Sequence, residues 1–328
     1  MADSAAMIAR RRLIAAIPAT LLAGKALSAQ AEDFTAFVAS LRAQARRKGI
    51  SAGTIQRAFA GIAVNEAILG KLHHPPESTL TWAQYRQLLL TDQRIAEGRA
   101  AYRRNYALFR DVQARFGVSA GIIAGIWGLE SSYGAKTGDY RVVEALANCA
   151  WSSTRRPFFT SELIAALQII DAGDVAPAHM TGSYAGAMGQ PQFMPSSYLH
   201  YAIDLEGTGR PNIWTSVPDV LGSIANYLAR SGWRPGESWG IEVRLPPSLD
   251  GHALGREDRQ PLAEWARLGV RAFDGGALRG AAEAALIQPD GAGGDAFLVF
   301  ANFNAIRRYN PSDYYALLTG LLGDQVLA

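Results

Sequence analysis

The stretch Gly125–Gly134, which reads Gly-Ile-Trp-Gly-Leu-Glu-Ser-Ser-Tyr-Gly, sets one acid, Glu130, at the end of a run, Ile122–Leu129, that is otherwise apolar or glycine. The run predicts a buried helix that ends by Gly134 and opens onto a cleft. A carboxylate loses hydration in apolar surroundings, which favours its protonated form and raises its pKa. Glu130 therefore has the properties expected of a general acid. Taken alone, these residues fit a solvated helix face equally well.

The composition is that of an ordinary folded protein. Of the 328 residues, 49% are hydrophobic and 19% are charged, so a sizeable core can form and disorder is not indicated. A formal charge of +3 suits an acidic polymer, but it predicts no nucleic-acid partner. Cys149 is the single cysteine, which excludes an internal disulfide and a multi-cysteine metal site. Its apolar neighbours predict a buried structural thiol.

The N-terminus has the pattern of an export signal. Arg10–Arg12 precede an apolar run, Leu13–Ala23, and Ala29–Ala31 offers a small-x-small cleavage site. We predict a signal peptide over residues 1–31 and an exported, periplasmic chain from residue 32. The apolar run is too short for a permanent transmembrane helix, and no cysteine stands at the cleavage site for a lipid anchor. The arginines leave Sec and twin-arginine export both open.

Apolar residues recur at helical spacing over most of the chain up to residue 239. They predict a first helix from Phe34, and Ser51 is placed to cap the second. One long helix is predicted from about Asp92 to Phe116, and the helix that carries Glu130 follows it. A further helix is predicted over Thr160–Ile170.

Short strands are predicted between residues 240 and 300, where Gly, Pro and Asp mark the turns. The predicted strands are Ile241–Leu245, Leu286–Gln288 and Phe297–Ala301. Helical pattern returns after Ser312, which is placed to cap the last helix. The sequence therefore predicts a mainly α fold, of the α+β kind, with a small β-containing insertion.

The segment Gly182–Tyr198 is rich in glycine and small residues, which let backbone approach a ligand closely. Polar Ser183, Gln190 and Gln192 alternate there with apolar residues such as Phe193. Such a mixture suits a sugar, whose hydroxyls and apolar faces must both be held. A glycine-rich packing corner is the alternative explanation.

Four motifs together resemble the membrane-bound lytic murein transglycosylase B family, of which this chain looks like a soluble, exported member. In order along the chain they are Glu130–Gly134, Gly182–Gly189, Gln192–Tyr198, and Asn302-Phe303 with Arg308-Tyr309-Asn310. The resemblance implies cleavage of the β-1,4 bond between N-acetylmuramic acid (MurNAc) and N-acetylglucosamine (GlcNAc) in peptidoglycan, which leaves 1,6-anhydroMurNAc ends. It implies glycan strands as the partner and no required cofactor, and it predicts no particular protein partner.

The resemblance also implies a lysozyme-like helical catalytic core, to which residues 118–239 are assigned. An N-terminal helical region, 32–117, precedes the core, a small β-containing region, 240–300, follows it, and a C-terminal segment, 301–328, returns to it.

Carried over residue by residue, the resemblance makes Glu130 the sole catalytic acid and base. Ser183 and Gln192 become polar groups of the site, and Phe193 becomes an apolar wall. The predicted lining of the sugar subsites is Tyr227, Tyr309, Asn310 and Tyr315. Arg155 and Arg156 match a basic pair that meets the peptide stem.

No second acid accompanies these motifs, since Asp139 and Glu144 have no special context. Ordinary glycosidases need a second carboxylate as nucleophile or base. In the resembling mechanism the muramoyl C6 hydroxyl supplies the nucleophile instead. A hydrolytic muramidase and a non-catalytic peptidoglycan-binding scaffold are the alternatives.

Relatives carry an EF-hand-like loop at the position of Asp204–Arg210. Asp204, Glu206 and Asp219 are the candidate calcium ligands here, but Thr208 replaces a stronger ligand and position twelve of the loop is a threonine. Ser216 and Asp219 also match a capping box. The sequence favours a turn stabilised without metal, with calcium as the alternative.

Overall fold

The computed structural model describes residues 33–73, 80–251 and 255–328. The predicted signal peptide, 1–31, lies outside the described residues. From Phe34 to Ala328 the chain forms one compact unit. Its helices are α1 Phe34–Arg47, α2 Ala52–Ala58, α3 Glu66–His73, α4 Trp82–Leu89, α5 Asp92–Arg104, α6 Tyr106–Phe116, α7 Ala120–Ser131, α8 Val142–Ser152, α9 Arg156–Ala172, α10 Pro195–Tyr201, α11 Val217–Arg230, α12 Leu262–Arg267, α13 Ala301–Tyr309 and α14 Asp313–Leu327.

Two antiparallel sheets accompany the helices. The strands are β1 Tyr140–Arg141, β2 Thr181–Gly182, β3 Gly240–Arg244, β4 Gln260–Pro261, β5 Arg271–Ala272, β6 Glu283–Ile287 and β7 Ala296–Val299. Strands β1 and β2 pair with each other, and the other five form one sheet in the order β4-β6-β7-β3-β5. The mainly α prediction, with β structure between residues 240 and 300, is therefore confirmed, although the predicted strand ends shift by one to three residues.

The prediction of one long helix from Asp92 to Phe116 is wrong. The chain forms two helices, α5 and α6, which part at Asn105. The Asn105 side chain donates to the Ala101 carbonyl at 2.9 Å, and its backbone N–H also turns back to the last turn of α5. An asparagine that bonds to nearby backbone in this way ends a helix even where the apolar spacing continues.

The predicted helix caps at Ser51 and Ser312 both form. The Ser51 hydroxyl accepts from the Thr54 N–H at 3.2 Å, and that of Ser312 accepts from the Tyr315 N–H at 3.3 Å. Helix α9 is longer than predicted because Pro157 fits its first turn, and Gly173 ends it in the left-handed conformation at φ 81°.

Helix α7 is the centre of the main core. Every residue from Ala120 to Gly128 is buried, and α14 packs along it. The backbones approach so closely that a Cβ on Gly125 would lie 2.4 Å from the Thr319 carbonyl oxygen. Gly121 and Gly323 meet in the same way, one helical turn further along the contact. Glycine at these positions therefore sets the distance between the two helices.

Two smaller cores flank the first. Helices α1 and α2 pack on α8 and α9 through residues such as Phe37, Leu41 and Leu163. The sheet has its own core around Trp265 and Leu298. In the described part of the chain no single helix is long and apolar enough to cross a bilayer, although the bent pair α6 and α7 together reach that composition.

We expect Gly125→Ala to lower the free energy of unfolding by about 2 kcal/mol, because the new methyl group overlaps the α14 backbone. Gly70→Ala is the matched control, because Gly70 is an exposed residue of α3 with nothing within 4 Å of a new Cβ. That change should stabilise the protein by about 0.5 kcal/mol through helix propensity. Urea unfolding measures the free energy of unfolding of both variants. Equal changes in the two variants would contradict the explanation by close helix packing.

Candidate active site

Glu130 lies in the last turn of α7, half-buried, beside α14. The Tyr315 hydroxyl donates a hydrogen bond of 2.6 Å to Glu130 Oε1. Tyr315 is itself buried, with 5% of its surface exposed. The packing of the two helices therefore brings one acid and one fixed phenol together.

The turn after Glu130 is held in an uncommon conformation. Ser132 and Tyr133 both have positive φ, of 47° and 57°. Left-handed backbone costs about 1 to 2 kcal/mol for each such residue. The Tyr133 ring offsets that cost by packing edge-on against Trp127, with its hydroxyl wedged where Gly98 and Gly128 leave room. The direction in which the chain leaves Glu130 is thereby fixed.

The segment Gly182–Tyr198 folds as a tight irregular loop. The Ser183 hydroxyl accepts from the backbone N–H groups of Ala185 and Ala187, which closes a turn. Gln192, with φ 50°, donates through its side chain to the Thr137 carbonyl at 2.9 Å and the Gly189 carbonyl at 2.8 Å. Both side chains are half-buried. The bond to Thr137 joins the loop to the segment that follows Glu130.

Gln190 has a different role from the one its sequence context suggests. It is buried, with 6% exposed, and its side-chain oxygen accepts from the Trp127 indole at 2.8 Å. Its amide donates to the Trp214 carbonyl at 3.0 Å. Gln190 therefore ties the loop to α7 rather than presenting a polar group to a ligand.

An aromatic cluster forms the neighbouring wall. The Phe193 ring centre lies 5.8 Å from the rings of both Tyr227 and Tyr309, which are 4.7 Å apart. The Tyr309 hydroxyl donates to the Pro191 carbonyl at 2.6 Å, and that of Tyr227 donates to the Arg308 carbonyl. Tyr201, which the sequence analysis missed, packs at a tilt against Tyr227, with the ring centres 4.3 Å apart. Its position at the end of the short helix α10 gave no signal.

The two tyrosines nearest Glu130 keep their protons. Burial, and then the charge of Glu130, raise the pKa of Tyr309 and of Tyr315 well above the ordinary value for a phenol. Tyr315 is therefore a hydrogen-bond donor to Glu130 throughout the neutral range. The pKa of Glu130 itself stays a prediction.

The other predicted site residues lie at the edges of the candidate active site. Asn310 ends α13, and its side chain accepts from the Ser312 N–H at 3.1 Å, which shapes the connection to α14. Arg155 and Arg156 are exposed at the start of α9. The Arg155 guanidinium lies 4.3 Å from the centre of the Phe158 ring, whereas that of Arg156 lies over Phe37, 4.8 Å away. The basic pair therefore faces two different neighbours.

Cys149 is a structural thiol, as the sequence predicts. It is fully buried, its sulfur contacts the Tyr184 carbonyl at 3.4 Å, and burial raises the pKa of the thiol to about 11. A thiol that is almost fully protonated at neutral pH is a poor nucleophile.

The donor set of the calcium candidates does not fit a metal. Asp204 accepts from the N–H groups of Gly207, Thr208 and Gly209. Glu206 accepts from the Ser216 hydroxyl at 2.7 Å.

Asp219 is fully buried, and both of its oxygens are already used. It accepts from the N–H groups of Leu205, Glu206 and Asn212 at 2.7, 3.0 and 2.7 Å. Half of the predicted capping box forms, since the Ser216 hydroxyl accepts from the Asp219 N–H, while the carboxylate turns to the loop. No group of three metal-ligating side chains occurs in residues 33–73, 80–251 and 255–328.

Comparison with known proteins agrees with this arrangement. Residues 33–324 match the model of the transglycosylase SLT domain family. Over 264 residues, 80% of this chain and 72% of the other, the sequence is 31% identical to membrane-bound lytic murein transglycosylase B of Escherichia coli (strain K12).

Solved structures of lytic transglycosylases are also similar to this chain. SltB3 from Pseudomonas aeruginosa, in complex with NAG-anhNAM-pentapeptide, superposes with a TM-score of 0.86 at 40% identity, over 90% of this chain and 80% of that one. The Escherichia coli lytic transglycosylase Slt35, in complex with calcium, superposes with a TM-score of 0.75 at 27% identity, over 91% and 94% of the two chains.

The fold and site thus define a lytic transglycosylase, an enzyme that acts on polysaccharide. The chain belongs to the transglycosylase SLT domain family. The resemblance inferred from the four motifs and the prediction of a lysozyme-like helical core are both confirmed.

We expect Tyr315→Phe to lower kcat/KM about tenfold, since a hydrogen bond to a charged group contributes about 1.5 to 3 kcal/mol. Loss of the O–H donor disfavours the carboxylate form, so the pKa of Glu130 rises and the basic limb of the pH profile moves to higher pH. The control is Tyr314→Phe, whose hydroxyl contacts Asp290 instead. Indistinguishable pH profiles for the two variants would contradict the assigned contact.

Proposed function

We propose that this enzyme cleaves the β-1,4 bond between MurNAc and GlcNAc in peptidoglycan and leaves 1,6-anhydroMurNAc ends, with Glu130 acting first as acid and then as base. The observation that carries the proposal is the hydrogen bond between Tyr315 and Glu130 in the half-buried end of α7. SltB3, whose complex contains an anhydro sugar with a pentapeptide, supports the choice of substrate.

In the first step, protonated Glu130 gives its proton to the glycosidic oxygen as the bond from that oxygen to the muramoyl C1 breaks. The C6 hydroxyl oxygen then bonds to C1, and its proton passes to the Glu130 carboxylate. The acid is regenerated and no water is consumed. Tyr315 stabilises the carboxylate between the two transfers and holds its position. General acid and base catalysis of this kind contributes about 10²- to 10⁴-fold, so sugar binding must supply much of the remainder.

The contacts of the surrounding residues support a single-carboxylate mechanism. Gln192, Tyr227 and Tyr309 donate to backbone carbonyls. Among the described residues, Glu130 is the one carboxylate whose charge acts on Tyr309 and Tyr315. A retaining glycosidase would need a second carboxyl group about 5 Å away, and an inverting one a partner at about 6.5 to 9.5 Å.

We assign the remaining roles as follows. Ser183 and Gln192 shape the loop against the sugar, with Phe193 and the tyrosines Tyr227 and Tyr309 as the wall of the subsites. Asn310 sets the entry to α14. Arg155, beside Phe158, and Arg156, beside Phe37, contact the peptide stem from the exposed start of α9.

Glu130→Gln should reduce the release of anhydromuropeptides from sacculi by at least about 10³-fold, because the amide can neither give nor take the proton. Asp139→Asn is the matched control, an exposed acid nine residues away that should retain full activity. Chromatography with mass detection measures both rates. Release by Glu130→Gln at the rate of the unmodified protein would refute the proposed mechanism.

The mass and the release of the products distinguish a lytic transglycosylase from a hydrolytic muramidase and from a non-catalytic scaffold. A hydrolytic muramidase gives ends that are heavier by one water, because water rather than the C6 hydroxyl attacks C1. A scaffold binds sacculi and releases nothing. The closed aromatic wall beside Glu130 and the Tyr315 contact favour turnover over a binding role.

We further propose that the chain reaches its substrate by export to the periplasm, with residues 1–31 as the signal and Sec or twin-arginine transport as the route. The mature enzyme would consist of the helical region 32–117, the core 118–239, the β-containing region 240–300 and the returning segment 301–328. Peptidoglycan, the material that the named relatives act on or bind, lies outside the cytoplasm.

We also propose that catalysis and folding need no calcium, although Slt35 binds it. Calcium and EDTA should each shift the Tm by less than about 1 °C, whereas saturation of a real site would add about 2.7 kcal/mol at a hundredfold excess over Kd. Asp219→Asn should cost about 2 kcal/mol, because the amide leaves a buried N–H unpaired. Glu206→Gln, at an exposed position, is the control. A calcium-dependent rise in Tm that Asp219→Asn removes would contradict the proposal.

A further inference from the structure

Thr319 is a polar residue of α14 in the middle of the contact with α7. Its side chain is fully buried. Its backbone carbonyl and its methyl carbon both face Gly125, where a Cβ on that glycine would lie 2.4 Å from the carbonyl oxygen and 3.3 Å from the methyl carbon. Valine has nearly the same shape and would bury no hydroxyl in this helix contact. The threonine hydroxyl therefore needs an explanation other than packing.

The Thr319 hydroxyl does not serve the backbone of α14. A buried threonine in a helix commonly donates to the carbonyl one turn earlier, which for Thr319 is that of Tyr315. Thr319 Oγ1 makes neither that bond nor any other of full hydrogen-bond geometry in the described part of the chain. Burying a hydroxyl without a partner is unfavourable, so the stability of the fold does not account for it.

The Thr319 hydroxyl acts instead on the Tyr315 phenol. Tyr315 lies four residues earlier, which places both side chains on one face of α14. Burial and the charge of Glu130 raise the pKa of Tyr315, whereas the Thr319 hydroxyl lowers it, as an O–H directed at the phenol oxygen does. Tyr315 in turn donates to Glu130 at 2.6 Å. The three side chains therefore form a series in which Thr319 acts on Tyr315 and Tyr315 acts on Glu130.

The other groups that act on this series are phenols. Besides Glu130 of α7 and Thr319, Tyr309 of α13 acts on Tyr315, and Tyr227 of α11 acts on Tyr309. Among the described residues no lysine, arginine or histidine acts on Tyr315 or Tyr309. The strength of the Tyr315 donor therefore depends on Thr319 and not on a neighbouring cation.

We propose that Thr319 is a positioning residue for the reaction, whose hydroxyl donates to the Tyr315 oxygen as Glu130 becomes charged and so strengthens the Tyr315 donor. This inference rests on the proposed function, in which Glu130 passes through its carboxylate form. Hydrogen bonds in a series polarise one another, so each is stronger than it is alone. Thr319 is enclosed between the helices and does not touch the sugar, so it acts only through Tyr315.

Thr319→Val gives the test, because it removes the hydroxyl and keeps the shape. We expect kcat to fall about two- to fivefold and KM to stay within twofold. A weaker Tyr315 donor raises the pKa of Glu130, so the basic limb of the pH profile should move to higher pH, as in Tyr315→Phe. The Tm should stay equal or rise, because an unpaired buried hydroxyl is lost. Thr319→Ser keeps the hydroxyl and should restore the pH profile of the unmodified enzyme.

Two further variants separate this role from a general effect of losing a buried hydroxyl. Thr54→Val is the matched control, since Thr54 is a buried threonine of α2 whose hydroxyl accepts from Arg57 at 3.3 Å. It should leave kcat and the pH profile unchanged. In the Tyr315→Phe background, Thr319→Val should cause no further fall in kcat, because its route to Glu130 is gone.

A pH profile of Thr319→Val that coincides with that of the unmodified enzyme would overturn the assignment. A fall in kcat that persists in the Tyr315→Phe background would overturn it as well. All rates are measured on sacculi together with the masses of the products. Products that carry an added water would refute the proposed function, while a shifted profile for their release would leave the role of Thr319 in place. Anhydro products without the shift would do the opposite.

Discussion

The hydrogen bond from Tyr315 to Glu130 joins two residues 185 positions apart in sequence, and the site depends on it. It exists because α7 and α14 pack backbone to backbone, with Gly121, Gly125 and Gly323 at the contact. Larger residues there would push the helices apart by more than a hydrogen bond can tolerate. Gly125, in the opening stretch, therefore helps to set the helix distance on which the contact between Tyr315 and Glu130 depends.

Two opposing effects act on the Glu130 carboxyl group. The apolar end of α7 disfavours its charge, and the Tyr315 donor favours it. In the mechanism that we propose, Glu130 first gives and then takes a proton, so both of its forms must be accessible. The strained turn at Ser132 and Tyr133 and the Gln192 contact to Thr137 keep the carboxyl group at the edge of the cleft while this happens. The mechanism that we propose requires no second carboxylate, since in it the sugar brings its own nucleophile.

The sequence was most informative where a local pattern decides the structure. The apolar run before Glu130 and the caps at Ser51 and Ser312 act within a few residues, and the structure confirms them. The motif order was enough to identify the family. Asn105 shows the limit even of local rules, because one side-chain bond to the backbone outweighs a continuous apolar spacing.

Long-range partners could not be predicted in the same way. Gln190 lies among residues that suggest a sugar site, yet its partners are Trp127 and Trp214, 63 and 24 residues away. Asp219 looks like a metal ligand or a cap, yet it holds three backbone N–H groups of a loop up to 14 residues away.

The most direct test of the account is a carboxyl titration of Glu130 in the free enzyme. In protein labelled with carbon-13 at the glutamate carboxyl groups, the resonance absent from Glu130→Gln identifies the residue. This resonance should titrate clearly above the ordinary glutamate pKa of about 4.3, because the apolar surroundings of Glu130 outweigh the Tyr315 donor. A resonance that titrates at or below that value would contradict the claim that one buried acid performs the reaction alone.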